Sequence, residues 1–307
     1  MKVIVLGAAA GGGFPQWNCR CPTCRLAWEG GARAQTQNSL AVSADGRTWF
    51  LLNASPDLRA QILATRALQP RENGRDSPIA GVVLTNGDVD HVTGLLTLRE
   101  SQPLALYGTR QVLEILAANS VFNVLNPDFV ERRPLRAGEA IDLALRDGTE
   151  AGLRVAPFMV PGKVALYLES ATIEKELAQR SENTIGLEVS APGTGKRFFY
   201  IPACAALDAE LRERVKGAPL IFFDGTLYRD DEMIRAGIGV KTGRRMGHLS
   251  VSGPEGSVAA FADLAVARKF FIHINNTNPI LCQGSPEREA VRAAGWDVAA
   301  DGLEIEV

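Results

Sequence analysis

Histidine is scarce in this sequence, and neither sign of charge is in marked excess. Its 307 residues include three histidines, so any chemistry that needs imidazole has few candidates. The formal net charge of −2 gives no electrostatic reason to expect binding to nucleic acid or to an anionic membrane. No apolar run reaches the roughly 18–20 residues that span a bilayer, and Lys2–Gly7 is too short to be the apolar core of a signal peptide. We therefore expect a cytoplasmic globular protein with no nucleic-acid or membrane partner; its oligomeric state stays open, with a homodimer as one option.

Cysteine is also scarce, and its five copies are unevenly placed. Three of them form a CxCxxC motif at Cys19, Cys21 and Cys24. In a reducing compartment an odd, clustered set argues against disulfides and towards metal. Thiolates two and five residues apart can converge on one Zn²⁺, whose tetrahedral geometry suits a tight loop. The motif predicts a structural zinc site with a fourth ligand from elsewhere; the alternative is a set of unpaired buried cysteines.

Short β-rich runs recur along the whole sequence, with helical periodicity between them. The runs that predict strands are 2–7, 39–43, 48–53, 81–85, 153–160, 184–190, 197–202, 219–224 and 269–275. The patterns that predict helices are 58–68, 109–119, 208–216, 256–268 and 286–295. The same succession of strand and helix patterns begins again after about residue 180. We therefore expect one α/β domain, residues 1–307, of two similar halves with sheets packed between helix layers.

A cluster of polar side chains follows the predicted strand 81–85. Asn86, Asp88, Asp90 and His91 fall within one short segment, just before a helical pattern over 92–98. A strand end that directs polar groups into a cleft is a usual place for a functional site. Two carboxylates and an imidazole packed this closely need solvent or a cation to stabilise them. The segment therefore predicts a metal site; the alternative is a solvated loop in which Asp90 caps a helix.

This segment resembles the HxHxDH motif of the metallo-β-lactamase superfamily, with Asn86 and Asp88 in place of the two leading histidines. Residues 53–57 (NASPD) resemble the motif at the preceding strand end, and 269–279 (KFFIHINNTNP) resembles the late strand whose histidine, here His273, closes the metal site. Strings from GAAAGGGFPQWNCRCPTC to HINNTNPIL are similar to those of a pyrroloquinoline quinone (PQQ) biosynthesis family within this superfamily. The resemblance implies a four-layer αββα sandwich, with the CxCxxC zinc site near its N-terminus.

The departures from the superfamily pattern imply one active-site metal rather than two. In a two-metal member the first metal takes both leading histidines and a third from a later strand, but region 157–167 (PFMVPGKVALY) contains no histidine. An aspartate that bridges the metals would follow the strand 197–202, where 203–205 reads Ala-Cys-Ala. The ligands of the second metal remain, as Asp90, His91 and His273.

Two histidines and one carboxylate with open positions form the ligand set of non-haem Fe(II) oxygenases. The resemblance implies a role in making PQQ from a ribosomal peptide with linked Glu and Tyr, and it suggests Fe(II)-dependent hydroxylation of that tyrosine ring. The partner would be a small peptide-derived substrate that contains Tyr. Two other classes stay open. One is a metal-dependent hydrolase of phosphodiesterase or lactonase type, since zinc-bound water can be acidified to about pH 7. The other is a non-catalytic carrier of the finished quinone.

Supporting roles are expected for a few further residues. His248 is a candidate general acid or base in the cleft, or else a hydrogen-bonded structural histidine. Asp88 could be a weak extra ligand or could orient His91, and Asp224 could support a ligand or simply belong to a turn. Asn276 falls near where related phosphodiesterases place the fourth ligand of a structural zinc. Because an amide is a poor zinc ligand, His248, a backbone group or a water are the alternatives.

Overall fold

The computed structural model describes residues 1–168 and 179–307, except for the side chains of Leu166 and Gln179. Every run predicted as a strand is a strand within these ranges, with ends that differ by a few residues. The strands are β1 (Lys2–Gly7), β2 (Ser39–Ser43), β3 (Trp49–Leu52), β4 (Ile79–Val83), β5 (Leu104–Thr109), β6 (Val130–Leu135), β7 (Ile141–Ala144), β8 (Glu150–Gly162), β9 (Gln179–Ala191), β10 (Lys196–Ile201), β11 (Ile221–Asp224), β12 (Lys269–Ile272), β13 (Asp297–Val298) and β14 (Glu304–Glu306). The helices are α1 (Pro22–Trp28), α2 (Leu58–Ala64), α3 (Val89–Val92), α4 (Arg110–Ala118), α5 (Ala209–Val215), α6 (Glu232–Arg235), α7 (Gly243–Met246), α8 (Ser257–Ala260) and α9 (Pro286–Ala293). None of the helices in the described ranges is long and apolar enough to cross a membrane.

The described strands form two seven-stranded sheets with matching layouts. The first has the order β14-β1-β2-β3-β4-β5-β6, and the second has the order β13-β12-β11-β10-β9-β8-β7. In the first sheet β1, β2 and β3 pair antiparallel, and β3 to β6 pair parallel. In the second sheet β7 to β10 pair antiparallel, and β10 to β13 pair parallel. The prediction of two similar halves is therefore confirmed.

Side-chain burial divides the interior into three apolar layers, as an αββα sandwich requires. Alternate residues of a strand face opposite sides of its sheet. Phe222 packs between the two sheets, together with Phe50 of the first, whereas the next residue, Phe223, packs on the outer face against Phe261 after α8. Leu116 of α4 covers the outer face of the first sheet. The predicted four-layer fold is confirmed.

Several sequence predictions are wrong in detail. The pattern over 256–268 yields only the short helix α8, and 92–98 yields the end of α3 followed by a 3₁₀ turn, Thr93–Leu98. Asp90 does not cap that helix, because Asp88 occupies the N-cap position. The cysteine motif runs into a helix, α1, which begins at Pro22, where proline's fixed φ favours the first helical turn. The motif's Cys24 therefore projects from a helix rather than from an irregular loop.

Candidate metal centre

The proposed metal ligands come from the carboxyl ends of parallel strands in different sheets. Asp90 and His91 lie in α3, which follows β4 of the first sheet, and His273 immediately follows β12 of the second. His273 has a φ of 56°, a left-handed conformation that costs free energy for a residue with a Cβ. The structure around His273 thus holds its backbone in a position that turns the imidazole towards the other sheet.

Asp90, His91 and His273 offer ligand atoms that all lie within 4.8 Å of one another. Oδ2 of Asp90 lies 3.0 Å from Nε2 of His273 and 3.9 Å from Nε2 of His91. Both imidazoles are almost fully buried, so these polar atoms have little water to satisfy them. The three residues that the sequence assigns to the active-site metal therefore converge on one point.

Asn86 fixes the tautomer of His91. Its Oδ1 lies 2.6 Å from Nδ1 of His91 and also accepts a hydrogen bond from the backbone N–H of Asp88. The amide oxygen therefore faces the ring, Nδ1 carries the proton, and Nε2 is left bare for a cation. Asp88 was expected to orient His91 or to act as an extra ligand. Oδ2 of Asp88 accepts a hydrogen bond from Nδ2 of Asn86 at 2.8 Å, so Asp88 acts on His91 through the amide that contacts the ring.

Thr226 does for His273 what Asn86 does for His91. Its hydroxyl lies 2.9 Å from Nδ1 of His273 and donates to Oδ1 of Asp224 at 2.6 Å. Nδ1 of His273 therefore donates to the hydroxyl, and Nε2 faces Asp90. Sequence reasoning missed Thr226, because a threonine two residues past a strand has no distinguishing spacing. Asp224 thus contacts the proposed ligand His273 through the hydroxyl of Thr226, which agrees with the supporting role expected for it.

The charge state of the group suits a cation. Burial lowers the pKa of His91 to about 4, so this ring is neutral at pH 7. Burial would raise the pKa of Asp90, but the nearby His91 and the hydrogen bond with His273 hold it well below its usual range. Burial lowers and Asp90 raises the pKa of His273, with a net increase. Burial and the charge of Asp90 raise the pKa of Asp88 to about 6. A metal ion at this point would replace the positive charge that a proton on His273 otherwise supplies beside Asp90.

His248 lies beside the metal group and is held by Asp224. Its Nδ1 lies 2.7 Å from Oδ2 of Asp224, and its ring stacks on His273 with 5.2 Å between ring centroids. Asp224, His248 and His273 form a second convergent group. Asp224 already accepts from the backbone N–H of Cys204 and Thr226, which favours a hydrogen-bonding role over metal binding. His248 thus lies at the site, as expected for an acid or base, and its contacts are here rather than with the cysteine cluster.

The three cysteines converge beneath the side chain of Asn276. Their sulfurs lie within 4.8 Å of one another, and Nδ2 of Asn276 is 3.2 Å from Sγ of Cys19 and of Cys24 and 3.8 Å from Sγ of Cys21. Nitrogen and oxygen of an amide exchange places by a half-turn, so the same position can present Oδ1 to a cation. Burial raises the pKa of Cys24 to about 12, a cost that zinc binding removes by deprotonating the thiol. Of the fourth-ligand candidates, Asn276 has the matching position.

Comparison with known proteins agrees with this architecture. Residues 48–274 match the model of the β-lactamase superfamily domain. Coenzyme PQQ synthesis protein B of Xanthomonas oryzae pv. oryzae is 54% identical over 307 residues, which covers 99% of both chains. The protein of the same name from Methylobacterium sp. (strain 4-46) is 53% identical over 99% of both chains.

Solved structures give the same result. The crystal structure of Zn(2+)-bound PqqB from Methylobacterium extorquens is similar over 100% of both chains, with a TM-score of 0.95 and 51% identity. A diphosphatase from the PhnP family shares the fold over 100% of this chain and 96% of its own, with a TM-score of 0.70 and 20% identity. Because the likeness to its relatives holds at more than half of the positions along the whole length, the chain belongs to the coenzyme PQQ synthesis protein B family of the metallo-β-lactamase superfamily.

Proposed function

We propose that this protein is a mononuclear Fe(II)-dependent hydroxylase that acts in PQQ biosynthesis on the tyrosine ring of a peptide-derived Glu-Tyr precursor. The observation that carries the proposal is the convergence of Asp90, His91 and His273. At the places of the first metal's leading histidines, Asn86 and Asp88 bond to each other and to His91. These contacts favour one active-site metal.

Asp90, His91 and His273 would hold Fe(II) with coordination positions left open, and the bound ion would supply the activation of O₂. The overall reaction replaces an aromatic C–H bond by C–OH, using one oxygen atom of O₂. The other oxygen atom leaves as water and takes two electrons and two protons from an organic reductant. The names of the relatives, the ligand set and the need of the precursor tyrosine for oxygen all support this proposal.

The chain's own residues supply proton transfer and orientation. Asp224 holds Nδ1 of His248, which leaves Nε2 to exchange a proton with the substrate's phenol. The His248 side chain is 14% exposed and lines a cavity of about 190 Å³ with Arg244 and Ser250. Of the three histidines at the site, His248 thus has the most exposed side chain. We propose a small Tyr-containing peptide-derived substrate and a cytoplasmic location.

The test compares metals and ligand variants in one assay. Protein purified without oxygen is loaded with Fe(II) or Zn(II), and oxygen uptake is measured with a linked Glu-Tyr peptide and a reductant. We expect oxygen uptake with the Fe(II) form and none with the Zn(II) form. The Fe(II)-loaded variants His91→Ala and His273→Ala should also show no oxygen uptake. Absence of uptake with Fe(II), together with ester cleavage by the zinc form, would contradict the hydroxylase. Undiminished turnover in both histidine variants would contradict any function that uses this metal.

A metal-dependent hydrolase is the second candidate. The Asp224–His248 pair favours it, because a histidine held by a carboxylate is well placed to protonate a leaving group. The zinc in the structure of the 51% identical relative also agrees with it. The zinc-loaded arm of the same experiment tests this candidate with an ester or phosphodiester substrate.

A further inference from the structure

A buried network of two amides and a phenol adjoins the metal group on the side of His91. Nδ2 of Asn38 donates to the hydroxyl of Tyr200 at 2.8 Å, and Nδ2 of Asn53 approaches the same oxygen at 3.3 Å. Asn53 is fixed in turn by Thr85, whose N–H and hydroxyl both donate to its Oδ1. All of these side chains are buried, so the network has no solvent to satisfy it. Neither the assigned metal ligands nor the proposed acid–base pair includes Asn38 or Tyr200.

Two atoms of this network lack partners within the described part of the chain. Oδ1 of Asn38 is buried and accepts no hydrogen bond. The oxygen of Tyr200 receives two N–H groups, and the network offers no acceptor for its own proton. A buried polar atom left unpaired costs about 1–3 kcal/mol, so such a pair calls for an explanation.

His91 supplies that explanation. Nδ2 of Asn38 lies 3.4 Å from Nε2 of His91, the nitrogen that Asn86 leaves bare. An N–H group facing that lone pair suits the ring without a metal. A cation on the ring would instead be repelled by the N–H group.

A half-turn of the Asn38 amide removes this repulsion, because it exchanges the positions of oxygen and nitrogen and requires no other group to move. The carbonyl oxygen then accepts the proton of Tyr200 and faces the side of His91 that binds the cation. The two N–H groups of the amide then lie where the unpartnered carbonyl lay, so the half-turn gives the proton of Tyr200 an acceptor and places an oxygen, rather than an N–H group, beside the cation.

We propose that Asn38 faces the metal and that its side-chain carbonyl oxygen is an additional oxygen donor to the ion held by His91. Tyr200 is then a positioning residue, because its hydroxyl sets the orientation of the Asn38 amide. The proposal rests on the metal assigned above to Asp90, His91 and His273. It adds an oxygen donor to that site, which favours harder divalent ions. Asn53 then serves to hold the phenol against Asn38.

The experiment uses Co(II) as a spectroscopic probe in the full-length protein. Visible absorption and the dissociation constant of Co(II) are measured for Asn38→Ala, Asn38→Asp and Tyr200→Phe. A His91→Ala/His273→Ala double variant supplies the spectrum of the cysteine site alone, for subtraction. The matched control is Tyr107→Phe, since Tyr107 is a buried phenol that bonds Ala144 and Arg133, outside this network.

We expect Asn38→Ala and Tyr200→Phe to alter the difference spectrum and weaken Co(II) binding about tenfold or more, the usual effect of losing a group that orients a metal site. Asn38→Asp should bind Co(II) more tightly than the wild type, because it places a negative charge beside the cation. Tyr107→Phe should lower thermal stability and leave the spectrum unchanged. A purely structural role for Asn38 predicts that its variants follow the control.

The proposal is overturned if folded Asn38 variants and Tyr200→Phe keep the wild-type spectrum and dissociation constant. If Asn38→Ala does not fold, Asn38→Asp and Tyr200→Phe decide. A different failure, in which the wild type and the double histidine variant give the same spectrum, overturns the proposed metal site and with it this inference. The two failures are therefore distinguishable.

Discussion

At the scale of single residues, polar side chains that do not bind the metal set the orientation and tautomer of the histidines that do. Asn86 and Thr226 each hold Nδ1 of one imidazole and direct its Nε2 inward. The orientation of Asn86 is unambiguous, because the N–H of Asp88 donates to the same oxygen that faces His91. Such partners fix both ring orientation and tautomer. Their loss should therefore reduce metal binding while every ligand remains.

Replacement of Asn86 by alanine tests this directly. We expect the affinity for Zn(II) or Co(II) at the active site to fall about 10- to 100-fold, because His91 loses its tautomer partner. Calorimetric titration measures the change. Asn126→Ala is the matched control, since that amide accepts from the backbone N–H of Asp128 in an exposed turn far from the metal group. Equal affinities in both variants would show that Asn86 does not prepare His91.

The cysteine site gives a second prediction at this scale. Cys24→Ser should remove about one zinc ion per chain and lower the melting temperature, because a structural zinc contributes directly to folding. Metal analysis and thermal unfolding measure the two effects. Cys204→Ser is the control, since Cys204 is equally buried but donates to the backbone of Ala206 away from the cluster. Retention of full zinc content by Cys24→Ser would remove Cys24 from the ligand set.

Sequence alone identified the residues with distinctive chemistry and missed those whose role depends on a distant partner. The cysteine spacing and the run around His91 predicted convergent groups, and both groups are present in the structure. Asn38 and Tyr200, by contrast, are 162 residues apart in sequence. They come into contact because the two sheets pack face to face. No local pattern marks an ordinary buried asparagine as part of a site. The role of Thr226 was hidden for the same reason, since its partner His273 is 47 residues away.

At the scale of elements, short helices and turns position the loop that follows β12. Glu232, the first residue of α6, accepts from the hydroxyl of Thr277 and from the backbone N–H of Tyr228. This joins α6 to the loop that places Asn276 over the cysteines. The carboxyl is largely buried, and burial raises its pKa to about 7. Burial therefore favours the protonated acid, and the hydrogen bonds from Thr277 and Tyr228, which lower the pKa, offset it only in part.

A pH dependence of stability follows from that pKa. A carboxyl whose pKa is about 7 when folded and near 4.5 when unfolded stabilises the fold fully below pH 4.5, and this contribution is lost as pH rises through 7. Glu232→Gln keeps a neutral group at all pH values. Relative to this variant, the free energy of unfolding of the wild type should fall by up to about 3 kcal/mol between pH 4.5 and 8.

Urea unfolding at several pH values checks the prediction. Glu114→Gln serves as control, because Glu114 is exposed beside Arg110 on α4. A constant difference between wild type and Glu232→Gln across this range would mean that Glu232 titrates normally in the folded protein.

Elements were predicted best where their residues repeat a pattern regularly. The β-branched residues of β1 and the aromatic residues of β10 predicted these two strands correctly. Strand β6 was missed, because its sequence VERRPL places charged residues and a proline at the sheet edge, where solvent takes the place of a neighbouring strand. The pattern over 256–268 is apolar enough for a helix, yet the structure has the short helix α8 there, which ends at Ala260.

At the scale of the whole molecule, the metal group exists only because two half-sandwiches meet. Asp90 and His91 come from the first half and His273 from the second. Their relative position therefore depends on the apolar layer between the sheets. Phe222 is fully buried in that layer, stacks on Phe270 at 5.5 Å between centroids, and meets Phe198 edge-on at 5.9 Å. Packing between the sheets and metal binding are thus coupled.

Truncation of this central ring should therefore affect both stability and metal binding. Phe222→Ala removes a buried aromatic ring and leaves a cavity, which costs about 3–5 kcal/mol of unfolding free energy. Because Phe270 lies on β12, just before His273, the cavity should also weaken Co(II) binding at the active site. Val121→Ala, at a position 53% exposed, should change neither quantity measurably. Denaturant unfolding and Co(II) titration of the two variants separate the effects. A large stability loss with unchanged Co(II) affinity would show that the strand ends hold the ligands independently of the core behind them.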